Sequence, residues 1–134
     1  MVTPLGCGVD YNWRKLIQGV SGASKITRFN AGDYKCKVAC EVPLGDGSNG
    51  TFNAENWIEK KEIKKIDDFI KYSLASTEEA FKSANLSALN DNLSHRSGCI
   101  IGSGMGGLPG IEQTSLDFSK GKKISPFFIY GVES

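Results

Sequence analysis

The sequence predicts a mixed α/β domain, and three stretches carry that prediction. Residues 66–84 place Ile66, Phe69, Ile70, Leu74, Phe81 and Ala84 at helical spacing, with Asp67, Asp68, Lys71, Glu78 and Lys82 opposite. That pattern describes an amphipathic helix of about five turns. Within residues 35–42, Cys36, Val38, Cys40 and Val42 alternate with polar neighbours, the period of a half-buried strand. The apolar run Cys99-Ile100-Ile101 reads as a buried strand that opens into Gly102, Gly104, Gly106 and Gly107, followed by a segment of helical character at 111–120. The resulting order of helix, strands, helix, strand and helix belongs to the mixed α/β class.

Taken in order, Thr3-Pro-Leu-Gly6 is a turn of the kind that follows a strand. Asp10 is the expected N-cap of a first helix that presents Trp13, Leu16 and Ile17 on one face and stops at Gly19. Residues 20–23 form a loop, and 25–29 and 35–42 are short extended pieces. Residues 43–50 are a turn-rich surface connection. Asn53 or Ala54 opens a mostly helical region, 85–96 is a polar loop, and 97–101 is the strand described above.

Composition narrows the possibilities. The 134 residues amount to one domain or part of one, long enough to bury a core. Sixteen basic residues against fifteen acidic ones leave no global field for nucleic acid or a membrane surface. No apolar run has the length of a membrane span. Leu5-Gly6-Cys7 has the outline of a lipoprotein box, but neither a basic region nor an apolar stretch precedes it. A cytoplasmic location is expected, with Cys7, Cys36, Cys40 and Cys99 as buried free thiols. One histidine, His95, makes a zinc site unexpected and excludes, within these residues, any mechanism needing two.

Two motifs invite chemistry. Gly102-x-Gly104-x-x-Gly107 matches the dinucleotide fingerprint letter for letter, but the ribose-binding acid should lie about 20 residues on. Glu112 and Asp117 come too early, and Leu108 and Pro109 stand where a phosphate loop needs Lys and Ser or Thr. A tight turn packed against another backbone is the reading favoured over nucleotide binding. Glu59-Lys-Lys-Glu-Ile-Lys-Lys65 is either a solvated helical face or a docking patch for an acidic partner. Lys120-Gly-Lys-Lys123 is a second basic cluster.

Five strings share a single likeness: Val2-Thr-Pro-Leu-Gly6, Gly19-x-Ser-Gly22, Lys60-Lys-Glu-Ile-Lys-Lys-Ile-Asp-Asp-Phe-Ile70, Gly102-Ser-Gly-Met-Gly-Gly-Leu108 and Lys123-Ile-Ser-Pro-Phe-Phe128. In order and spacing they resemble the β-ketoacyl-acyl carrier protein synthases, the fatty-acid-elongating condensing enzymes. Ala23 stands where relatives carry Ile. The resemblance covers residues 1–129 and leaves 130–134 as a divergent tail. It implies part of the N-terminal half of a thiolase-like α/β/α/β/α fold, incomplete at both ends. It also implies a homodimer that uses neither metal nor nucleotide.

In that family a cysteine nucleophile is acylated, and two histidines promote decarboxylation of a malonyl thioester whose carbanion attacks the acyl group. By resemblance, Met105 with Gly104 gates the acyl channel, and Phe128 reaches the partner subunit's acyl pocket. Lys61, Lys64, Lys65, Lys122 and Lys123 correspond to residues that dock the acidic acyl carrier protein. No residue here matches the nucleophilic Cys, the two His or the catalytic Lys. The expectation is therefore a piece of a condensing enzyme, inert by itself and marginally folded. The alternative is a non-catalytic module that binds carrier protein or interferes with the dimer.

Overall fold

Asn12 organises the beginning of the chain, because it is fully buried and every polar atom of its amide is used. In the computed structural model, which describes residues 1–86, 89–126 and 128, its Nδ2 donates to the carbonyls of Gly6 (2.9 Å) and Gly8 (2.7 Å). The Thr3 hydroxyl donates to its Oδ1. These bonds fasten helix α1 (Val9–Ile17) to a hairpin made of β1 (Val2–Thr3) and β2 (Gly6–Cys7), paired antiparallel with Val2 opposite Cys7. Thr3-Pro-Leu-Gly6 is thus the hairpin turn.

The N-cap lies two residues before the expected one. Gly8 occupies the N-cap and its carbonyl accepts the Asn12 N–H at 3.1 Å, leaving Asp10 in the first turn. A carboxylate there still complements the helix dipole. The end falls where the sequence placed it. Gly19 adopts φ 67°, its N–H reaches the Leu16 carbonyl (3.0 Å), and the Val20 N–H reaches that of Lys15 (3.0 Å). This is the paired C-terminal closure for which a left-handed glycine is the favoured residue.

The two extended pieces shrink to β3 (Ser24–Lys25) and β4 (Val38–Ala39), antiparallel with Ser24 opposite Ala39. The turn-rich connection is built from side-chain bonds. The Ser48 N–H donates to Asp46 Oδ1 (2.8 Å), the Gly47 N–H to Thr51 Oγ1 (3.1 Å) and the Thr51 hydroxyl to the Ser48 carbonyl (2.7 Å). Asn53 then caps a 3₁₀ turn, Ala54–Asn56, by accepting the Glu55 N–H at 3.0 Å.

The chain forms two compact units, Met1–Asn56 and Trp57–Ser134. The second unit contains α2 (Lys60–Ile63), α3 (Asp68–Ser83), α4 (Asp91–Ser94) and α5 (Leu108–Ser119). The long amphipathic helix is realised as α3, with Ala75 buried on it. The supposed loop at 85–96 contains α4, capped by the Asn90 side chain on the Leu93 N–H (3.0 Å).

Two expectations are corrected here. Residues 97–101 form no strand, and Ile100 is 99% exposed. An apolar run becomes a strand when a neighbour completes its ladder, and no described strand pairs with this one. The thiols are free as expected, but Cys36, Cys40 and Cys99 are exposed and Cys7 is half-buried. Among the described residues no helix is long and apolar enough to cross a membrane. The proposed tail at 130–134 lies outside the described residues.

Candidate functional site

The basic segment folds as α2 and the turn after it. The Glu59 carbonyl accepts the N–H groups of Glu62 (2.8 Å) and Ile63 (3.2 Å), which starts the helix. Lys61 Nζ lies 2.8 Å from Glu59 Oε2, and Lys65 Nζ lies 2.8 Å from Glu62 Oε1. Lys64 is exposed and has no ion pair among the described residues. Four lysines against two glutamates leave the segment positive even with both carboxylates engaged. Such surface pairs are worth about 0–1 kcal/mol each, so they do not hold the lysines from another anion.

The second basic cluster follows α5. Lys122 Nζ sits 2.7 Å from Asp117 Oδ1, and this bond, helped by the Gln113 side chain, holds the Asp117 carboxyl below the usual carboxylate range. Lys123 is exposed and likewise has no ion pair among the described residues. Phe128 is half-buried, its N–H donated to the Ser125 carbonyl at 3.1 Å.

The glycine-rich stretch is more open than a tight packed turn. A Cβ built on Gly102 or Gly104 meets nothing within 4 Å, and Met105 is 70% exposed. Gly106 takes φ 60°, so the chain reverses there at little cost. Gly107, the N-cap of α5, is buried, and a Cβ on it would lie 2.1 Å from Asp67 Oδ2. The glycine is required for space, and the neighbour it makes room for is a carboxylate. The Gly110 N–H donates to that same oxygen at 3.1 Å.

Asp67 is the residue the sequence reading missed. Counted among the polar face of α3, it instead reaches the head of another helix. The available signal was a helix start with no Ser, Thr or Asn cap, together with a glycine two residues before Pro109.

Among the described residues no group of three His, Cys, Asp or Glu side chains could hold a metal. Cys7 is the thiol nearest a helix N-terminus, and burial pushes it up, outweighing the opposing pull of the N-terminal charge. In the first unit a cleft of about 430 Å³ is lined by Pro4, Gly22, Thr27, Arg28, Glu41 and Leu44. The Thr27 hydroxyl, 2.6 Å from Glu41 Oε2, holds that carboxyl below its ordinary value.

These features describe a helix-rich α/β piece, the fold class expected from the sequence, with an open glycine loop that lies in sequence between two basic clusters. The model of the beta-ketoacyl synthase N-terminal domain matches residues 1–134, and the chain belongs to that family. It is 45% identical over 133 residues to 3-oxoacyl-[acyl-carrier-protein] synthase 2 of Rhizobium meliloti (strain 1021), covering 98% of this chain and 32% of the relative. The enzyme of the same name from Coxiella burnetii (strain RSA 493 / Nine Mile phase I) is 37% identical over 134 residues, covering 98% and 30%.

Among solved structures, the ishigamide ketosynthase/chain length factor superposes with a TM-score of 0.71 at 22% identity, covering 98% of this chain and 32% of that one. That likeness places the fold within the thiolase-like α/β arrangement of ketosynthases. The chain spans about a third of the length of the curated relatives it matches.

Proposed function

We propose that these residues are the carrier-docking and acyl-gating part of a fatty-acid-elongating condensing enzyme. The observation that carries this reading is the family match along all 134 residues, with 45% identity to a 3-oxoacyl-[acyl-carrier-protein] synthase 2. In the reaction, the carboxylate of a malonyl thioester leaves as CO₂. The enolate carbon attacks an acyl thioester, a C–C bond forms, and the cysteine thiolate departs with the C–S electron pair. None of Cys7, Cys36, Cys40 or Cys99 is assigned that thiolate. Cys7 in particular is shifted away from the depressed pKa that a nucleophilic cysteine needs.

What these residues contribute is recognition. Lys61, Lys64, Lys65, Lys122 and Lys123 receive the acidic acyl carrier protein, mainly by speeding and orienting encounter. Met105, beside Gly104, gates the acyl channel, a task suited to an unbranched and adaptable side chain. Phe128 reaches the acyl pocket of the second subunit of a homodimer. The enzyme works in the cytoplasm without metal or nucleotide, and the 134 residues alone catalyse no condensation.

Titration of this chain with acyl carrier protein tests the reading. Binding should weaken about tenfold in a Lys64→Glu, Lys65→Glu variant and fall as salt rises, because exposed charges are screened. Binding indifferent to both changes would overturn the docking assignment. Carrier binding by a native species of this length would favour the non-catalytic module.

A further inference from the structure

The Asp67 carboxylate performs a task that its own helix does not require. At the start of α3 its carbonyl accepts the N–H groups of Ile70 (3.2 Å) and Lys71 (3.3 Å), while no side-chain cap forms. The carboxylate turns instead to the Gly110 N–H in the first turn of α5, at 3.1 Å. The first N–H groups of a helix have no partner within it, and the dipole favours an anion there. The pocket for this oxygen exists because residue 107 lacks a side chain. Lys65 lies two residues before Asp67, and Met105 lies two residues before Gly107. One hydrogen bond therefore joins the segment that bears three docking lysines to the loop that bears the gate.

We propose that Asp67 is a positioning residue that sets the gate loop, so that an acidic partner engaging Lys61, Lys64 and Lys65 is felt at Met105. The coupling rests on the docking and gate assignments above; the positioning of the loop does not. The contact spans 43 positions of sequence, so its loss frees the loop without removing a bond from the α3 backbone.

The test uses the full 134-residue chain labelled with ¹³C-methyl methionine. Met1 and Met105 are its two methionines, so the spectrum has two methyl signals, assigned by Met105→Leu. With no carrier protein present, Asp67→Ala should move the Met105 methyl and speed amide exchange at Gly110 about tenfold, the worth of a charge-assisted hydrogen bond. Asp67→Asn, which keeps an acceptor, should restore part of both. On adding acyl carrier protein, the Met105 methyl should respond in the wild-type chain. It should stay silent in Asp67→Ala, whose carrier affinity is unchanged.

Unchanged exchange and methyl position in Asp67→Ala would overturn the proposal, as would a carrier response that passes through that variant undiminished. Failure of the wild-type chain to bind carrier, with the exchange effect intact, would remove the docking reading and the coupling together while supporting the role of Asp67 in setting the loop. Gly107→Ala gives an independent check. It should destabilise the wild-type chain more than the Asp67→Ala chain, because the new methyl meets that carboxylate. Equal penalties in the two backgrounds would overturn the packing on which the proposal stands.

Discussion

In the unit Met1–Asn56 the glycines Gly6, Gly22 and Gly50 are pressed against side chains. A Cβ on Gly50 would lie 2.3 Å from the Tyr11 ring, one on Gly6 2.7 Å from the same ring, and one on Gly22 2.8 Å from Pro4 Cβ. In the unit Trp57–Ser134, Gly102 and Gly104 face open space, and the demand for glycine resumes at Gly107 under Asp67. The first set answers to contacts inside its own unit. The second set, on the proposed reading, answers to an acyl chain. Substitution should therefore cost folding in one unit and gating in the other.

The sharpest way to break that contrast is Gly50→Ala. It adds a clash with Tyr11 to a residue already at φ 76°, and should destabilise the chain by about 3 kcal/mol or more. Urea unfolding followed by Trp13 fluorescence would measure it, and a value below that of Gly104→Ala would erase the distinction. Asn12→Ala comes next. It strands the buried Gly6 carbonyl and takes one of two donors from the Gly8 carbonyl, which keeps the Asn12 backbone N–H, and should cost about 1–3 kcal/mol in the same assay.

Gly104→Ala should change stability by no more than about 0.5 kcal/mol, since its Cβ enters open space. Any effect should appear in the response of the Met105 methyl to acyl carrier protein.

The smallest effect is in pH. Glu41 is held low first by the Thr27 hydroxyl, Asp46 by the Ser48 side chain and backbone N–H, and Asp117 by Lys122. A depressed folded-state pKa contributes stability that is fully present above the ordinary carboxylate value. That contribution disappears as pH falls through the lower folded-state value. Circular dichroism between pH 7 and 2 should show local loosening confined to the acid end. A loss on raising pH from 4 to 7 would contradict the assigned causes.

What could be read from the sequence was whatever depended on near neighbours. The Gly19 stop, the Asn53 start and the amphipathic α3 follow from local geometry and side-chain period, and all three are present. The apolar face of α1 was legible as a pattern, yet Trp13, Leu16 and Ile17 remain more than half exposed. Periodicity reveals a face without specifying what covers it.

The strand at 97–101 failed for the same reason, because a ladder needs a partner that local composition does not supply. The lysines stood out by density alone. Asp67 did not, since its role depends on a glycine forty positions later in the chain, which no local pattern connects to it.

The seat of the Tyr11 ring has a consequence for how the chain is made. The ring lies between Gly6 and Gly50, and the Cys7 N–H donates to the Gly50 carbonyl at 2.8 Å. During synthesis the hairpin and α1 emerge first but cannot close around that ring until Gly50 arrives. At about 5–20 residues per second the wait lasts a few seconds. During that interval the Tyr11 ring is open to solvent beside Trp13, Leu16 and Ile17, which stay exposed afterwards. This widened apolar face on a nascent helix is a window in which a chaperone has more to hold.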